Sequence, residues 1–179
     1  MSIWTFRLKQ NNLAIGQRNA ALNHTTKRVR FINAWVGGEQ KEQHGATTET
    51  TKETRQLPMI NYTALLEQCR NQRMELLHLD VQGAELPFLQ SIDPATAAKQ
   101  LRFVMVSTHH SSISGSKTTH HDCTERLREL GATILMEHDV VESFSGDCLI
   151  LASFLREDRG LPFPAISRNR AETSLFKNA

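Results

Sequence analysis

Apolar positions fall into short runs separated by polar stretches, and the period of each run indicates what it builds. Alternation from Ile3 to Leu8 predicts a short strand, and Asn11 or Asn12 can cap a following helix through Ala14 and Ala20 to about Asn23. Val29 to Val36 is rich in β-branched and aromatic residues and stops at Gly37-Gly38, so it reads as a second strand. From Glu39 to Gln56, threonine, glutamate, lysine and glutamine dominate without apolar periodicity. Such a segment cannot bury itself and predicts a surface loop or lid.

Pro58 introduces a helix near Asn61 to Arg70. Leu76, Leu77 and Leu79 then form a short apolar run that ends at Asp80, a buried strand with an acid at its tip. Gly83 permits a tight turn into a helix from about Ala84 to Ser91, and Leu101 to Ser107 is a continuous apolar strand ending in Thr108-His109-His110. A serine-rich loop follows, then a helix from about Thr119 to Leu130 with Cys123, Leu127 and Leu130 on one face and Gly131 as its stop. Two last strands, near Thr133 to Glu137 and Asp147 to Phe154, are joined by the turn-forming Ser143-Phe144-Ser145-Gly146. Strands alternating with helices and ending in a hairpin predict an α/β sheet, mostly parallel with an antiparallel edge.

Composition narrows this further. At 179 residues the chain suits one domain, expected over 1–155, with a C-terminal tail over 156–179 made locally basic by Arg156, Arg159, Arg168 and Arg170. The net charge of +2 is too small to imply nucleic acid, and the basic tail reads as solvated. Nothing approaches eighteen consecutive apolar residues, so no membrane is implied, and the start lacks the apolar run of a secretory signal, which predicts a cytoplasmic protein. Cys69, Cys123 and Cys148 are odd in number and far apart, and read as reduced core or helix residues.

Asp80-Val81-Gln82-Gly83-Ala84-Glu85, after Leu76-Leu77-His78-Leu79, resembles the signature of the FkbM family of S-adenosylmethionine-dependent methyltransferases. There an apolar strand runs into Asp-Val-(Glu or Gln)-Gly-x-Glu and then a helix. Three further segments match in order: Asn12 to Asn19 with Leu22-Asn23, Val29 to Gly37, and the pair Ser107 to His110 with Glu137 to Asp147. The resemblance covers roughly Asn11 to Phe154. It implies a Rossmann-like class I methyltransferase sheet, with S-adenosylmethionine as cofactor and a hydroxyl of a sugar or other small molecule as acceptor.

One departure is large. In the family a first strand ending in a glycine-rich turn cradles the methionine part of the cofactor, and the second strand ends in an acid that grips the ribose. Here no such glycine-rich segment is found and Arg7-Leu8-Lys9-Gln10 is basic or neutral, so the sheet is expected to be N-terminally truncated. The missing strand would be central, and strands lie about 4.8 Å apart, so its loss leaves a gap that backbone hydrogen bonds cannot span. Either Ile3 to Leu8 fills the centre, which is the favoured expectation, or a second copy or another chain completes the sheet, or the sheet holds together only in part.

Ligands of open α/β sheets meet at the carboxyl ends of strands. Asp80 is predicted at such an end, with Gln82 in the adjoining turn, and the resemblance implies that both face the cofactor. Ala34 and Trp35 end the strand where the family's adenine pocket is expected, though a core tryptophan serves equally. His109 and His110 follow the next strand, and imidazole suits a general base, so His109 is the candidate catalytic residue. Glu85 opens the next helix, where a carboxylate either completes the chemistry or complements the helix dipole. Glu142 and Asp147 flank the last turn and read as turn formers. His120-His121 with Asp122 and the first histidine pair could be imagined as a metal cluster, but adjacent histidines point apart, and no metal site is predicted. Two readings follow: an O-methyltransferase, or a non-catalytic remnant or partner-dependent subunit that does not bind cofactor alone.

Overall fold

The computed structural model describes residues 3–6, 10–47, 52–163, 173 and 175. The chain divides into two compact units, Met1–Asn61 and Tyr62–Ala179.

In the first unit, strand β1 (Ile3–Phe6) leads into helix α1 (Gln10–Leu22), so Asn11 and Asn12 lie in the first turn of the helix instead of before it. Strand β2 (Val29–Ile32) pairs parallel with β1. The expected second strand is broken after Ile32 and resumes as β3 (Trp35–Val36), which pairs parallel with Met59 and Ile60. Residues 39–56, expected as a loop, contain most of a hairpin: β4 (Lys41–Thr47) pairs antiparallel with β5 (Thr54–Ile60). The hairpin was hidden because the residues of 39–56 that it uses are polar or small, although one of its faces, with His44, Ala46, Arg55, Leu57 and Met59, is half-buried and the other exposed. Pro58 was expected to open a helix. It lies instead in β5, opposite the irregularity between Lys41 and His44, where a residue without an N–H costs least.

The second unit carries one four-stranded sheet. Helix α2 (Tyr62–Gln68) precedes strand β6 (Met74–Leu79), helices α3 (Glu85–Gln90) and α4 (Pro94–Gln100) lead to β7 (Leu101–Val106), and a short helix α5 (Ser111–Ser114) lies within the serine-rich segment. Helix α6 (Thr119–Glu129) then returns the chain to the hairpin of β8 (Thr133–His138) and β9 (Leu149–Ser153). Strand order is β6-β7-β9-β8, with β6 parallel to β7 and the other two pairings antiparallel. The expected C-terminal antiparallel hairpin is therefore present. Among the described residues three of the six ladders are parallel, fewer than expected, because β4–β5 adds an antiparallel pair and β9 lies antiparallel between β7 and β8.

The expectation that Ile3 to Leu8 fills the centre of a continuous sheet is not met. Among the described residues β1 pairs only with β2, and β6 is an edge strand paired only with β7; Leu8 lies outside the described residues.

One sheet face buries Leu77, Leu79, Val104, Val106, Ile150 and Ala152, with Phe88, Leu89 and Leu127 also in the core. Arg126 of α6 ties the elements together by donating from Nε to the Leu89 carbonyl at 3.3 Å and from its terminal nitrogen to the Ile92 carbonyl at 2.8 Å. After β9, Arg156–Gly160 form a 3-10 turn that carries Asp158. Arg102 donates to both Asp158 oxygens at 3.1 and 2.9 Å, and Ser153 Oγ donates to Oδ2 at 2.7 Å. This start of the tail is thereby anchored on the sheet, whereas Arg168 and Arg170 lie outside the described residues.

The Arg102 guanidinium, with help from Ser153, holds the Asp158 carboxyl below its ordinary value of 3.8. A depressed folded-state value means that this stabilisation is full above about pH 4 and is lost as pH falls through the folded value. Asp158→Asn is expected to lower stability at pH 7 and to flatten the loss of stability between about pH 4 and 2, measured by urea unfolding across that range.

Candidate functional site

The site begins with the β7–β9 register. Phe103 faces Ser153 and Val106 faces Ile150, and the same register runs past the ends of both strands. Cys148 N–H donates to the Thr108 carbonyl at 2.8 Å, His109 and Asp147 form an isolated bridge, and His110 N–H donates to the Gly146 carbonyl at 3.1 Å. Residues directly opposite in a ladder project from the same face. His109 and Asp147, 38 positions apart in sequence, are therefore neighbours by construction, and Nδ1–H of His109 donates to Asp147 Oδ1 at 3.1 Å. Ser145 Oγ–H donates to the other Asp147 oxygen at 2.9 Å.

Parallel pairing of β6 with β7 brings the second acid. Ser107 N–H donates to the Leu79 carbonyl at 2.8 Å, which extends that ladder by one bond. Leu79 is buried, so Asp80, the next residue, faces the other way. Nε2 of His109 lies 3.0 Å from Asp80 Oδ1. A carboxylate can only accept, so with both contacts made the ring supplies an N–H on each side. The His109 side chain is 6% exposed, against 55% for Asp80 and 56% for Asp147, so solvent meets the cluster at its two acids.

Beneath it lies the turn from Asp80 to Ala84. Gln82 has φ +53° and Gly83 φ +109°, so the chain reverses through two successive left-handed residues. Gly83 is needed twice over, because a Cβ there would also come within 3.2 Å of the Ser114 carbonyl oxygen. Glu85, fully buried, closes the turn by accepting from Val81 N–H at 2.9 Å and Gly83 N–H at 2.8 Å. Its Oε1 lies 3.8 Å from His109 Nε2, adding a third carboxylate to the ring's surroundings. Asp80 does not cap the helix: the residue at that position is Ala84, which makes no side-chain cap bond.

Successive residues of an extended chain point to opposite faces, so Thr108 projects away from His109. Fully buried, it shares a 2.9 Å hydrogen bond with Nδ1 of His120, the second residue of α6. Nε2–H of His120 donates to Glu137 Oε1 on β8 at 3.2 Å. The Cys148 thiol, opposite Thr108, also meets its hydroxyl. Burial pushes the Cys148 thiol up to about 11 and that of Cys123 up to about 12. All three cysteines are buried, and none of them forms a disulfide.

Of the residues singled out in the sequence, Asp80, Glu85 and His109 come together, and Gln82 sits exposed in the adjoining turn. His110 bends back to accept from Ser112 N–H through Nδ1 at 3.2 Å, capping α5. Ala34 and Trp35 belong to the first unit, where Ala34 is buried and the Trp35 indole N–H donates to the Arg55 carbonyl at 3.4 Å. Asp147, read as a turn former, is the site residue that sequence reasoning missed. Glu142 does the turn work, exchanging hydrogen bonds with Asp139. Among the described residues no group of three or more His, Cys, Asp or Glu side chains is arranged to hold a metal ion, and no helix is long and apolar enough to cross a membrane.

An α/β sheet ending in this hairpin, with its polar cluster at the strands' carboxyl ends, has a methyltransferase fold. It matches the crystal structure of the methyltransferase FkbM from Methylobacillus flagellatus KT with a TM-score of 0.58 at 12% identity, over 84% of this chain and 36% of that one. A delta-N METTL16 methyltransferase domain matches with a TM-score of 0.49 at 11% identity, over 86% of this chain and 62% of that one. A human methyltransferase 10 domain containing protein gives 0.47 at 13% identity, over 86% and 60%. The chain belongs to the methyltransferase FkbM domain family, whose model matches residues 3–134. It spans about a third of the Methylobacillus chain. No curated protein matches it.

Because both oxygens of Glu85 are taken up by backbone amides, Glu85→Gln puts an amide N–H₂ where an acceptor is needed. It is expected to cost about 1–3 kcal/mol, the penalty of a buried donor left unsatisfied. Gly83→Ala should cost about 1–2 kcal/mol from the left-handed backbone, with the Ser114 contact adding to it. Chemical denaturation of each variant checks both values.

Proposed function

We propose that this chain is an S-adenosylmethionine-dependent O-methyltransferase domain acting on a hydroxyl of a sugar or other small molecule. The observation that carries the reading is the Asp80–His109–Asp147 cluster at the carboxyl ends of β6 and β7, buried at its histidine and open at its acids.

The cofactor's ammonium and sulfonium are cationic, and Asp80 fits them: a half-exposed carboxylate whose Oδ2, among the described residues, has no protein partner. Asp80 and Gln82 would hold the aminoacyl end, and the bound cofactor supplies an electrophilic methyl group. His109 is the base. In the neutral ring Asp147 holds Nδ1–H, fixing the tautomer and directing Nε2 towards Asp80, where an acceptor hydroxyl reaches it alongside that exposed carboxylate. Taking the proton at Nε2 produces the doubly donating ring, which the oxygens of Asp80 and Asp147 stabilise at 3.0 and 3.1 Å and that of Glu85 at 3.8 Å. Glu85 contributes by holding the turn that aims Asp80 and by its charge beside Nε2.

Calorimetric titration with S-adenosylhomocysteine tests the cofactor assignment. We expect binding in about the micromolar range that is lost in Asp80→Ala. Absence of binding by a folded wild-type chain would instead favour a non-catalytic or partner-dependent chain. With an acceptor in hand, His109→Gln is expected to lower kcat about 10²- to 10⁴-fold while leaving cofactor affinity within about twofold, the signature of lost base catalysis.

A further inference from the structure

The Glu137–His120–Thr108 chain of hydrogen bonds lies on the sheet face opposite the acid cluster, and nothing in the proposed reaction uses it. We propose that His120 is a positioning residue for His109, acting through Thr108. This rests on the reading of His109 as the base.

His109 lies beyond the last residue of β7, in a stretch held to β9 by the Thr108–Cys148 and His110–Gly146 backbone bonds and the bridge at Asp147. Ends of ladders fray, and a one-residue slip or rotation would turn His109 to the wrong face. Thr108 resists that rotation, because its side chain points the opposite way into a fully buried site where His120 engages the hydroxyl at 2.9 Å. His120 is in turn fixed at both ring nitrogens. With Nε2–H donating to Glu137, Nδ1 is left as the acceptor for the Thr108 hydroxyl, so one neutral tautomer satisfies both contacts. The His120 side chain is 15% exposed, and Glu137 at 39% exposure anchors the chain at the surface of β8. Three elements, α6, β7 and β8, are thereby coupled at the residue preceding the base.

The decisive readout is the His109 ring, followed by NMR in protein labelled with ¹⁵N at the imidazoles. In the wild-type chain the His109 Nδ1–H proton facing Asp147 should appear far downfield and exchange slowly, and it and the ring ¹⁵N resonances are the signals followed. Thr108→Val, which keeps shape and removes the hydroxyl, and His120→Phe should each abolish the His109 signals or shift them, while Thr108→Ser, which restores the hydroxyl, should bring them back to the wild-type positions. If Thr108→Val and His120→Phe unfold the chain, Glu137→Gln provides a milder cut and should shift the same signals. Folded Thr108→Val and His120→Phe variants with unchanged His109 signals would overturn the proposal, leaving a purely structural brace. The readout needs no cofactor or acceptor, so it is independent of whether the wild-type chain binds S-adenosylhomocysteine.

Discussion

The candidate site depends on one constraint, the register of β9 against β7 carried three residues beyond the end of β7. That register sets His109 directly opposite Asp147 and Thr108 directly opposite Cys148, one pair on each face. A slip of one residue would exchange the faces, moving the imidazole into the packed layer that holds Val104, Val106 and Ile150 and moving Thr108 out among the acids. A buried side chain flanked by two carboxylates is costly to assemble unless every contact is made. The ladder provides those contacts without extra elements, and the parallel neighbour β6 adds Asp80 by the same logic.

Around this axis the sequence places residues with little freedom. The two left-handed positions at Gln82 and Gly83 bend the chain sharply enough for Glu85 to reach back to the amides of Val81 and Gly83. A buried carboxylate with two backbone donors is a rigid floor, and the exposed acid at position 80 stands on it. In the proposed methyl transfer to a hydroxyl, such rigidity would matter more than strength: the base has to wait in the correct tautomer while the reacting atoms align. Membership of the FkbM domain family and the shared fold are what the comparisons show; the hydroxyl acceptor, the cofactor contacts and the base are what the proposal adds.

Much of the second unit was legible in the sequence. The apolar runs ending at Asp80 and before Thr108, the glycine turn and the amphipathic helix over Cys123 and Leu127 all form where their periods place them, within a residue or two. Strands buried by neighbours leave a strong local signal. The first unit was less legible, because β4 is built of polar and small residues and the half-buried face of the β4–β5 hairpin gains large apolar side chains only at Leu57 and Met59, so side-chain pattern reports little of the pairing. In the site, Asp80, Glu85 and His109 could be named because they sit next to strand ends. Asp147 could not, since its importance comes from a partner 38 positions away and a register that no local pattern encodes. His120 was obscured for a related reason: beside His121 it suggests metal chemistry, while its actual partners come from two other elements.

The direct test of the central claim is a double-mutant cycle between His109 and Asp147, using His109→Ala, Asp147→Ala and the double variant in chemical unfolding. Opposed residues that share a hydrogen bond should couple by about 1 kcal/mol or more. Additivity of the two single changes within about 0.3 kcal/mol would mean that the pair is not formed, and would contradict the register on which the site is built.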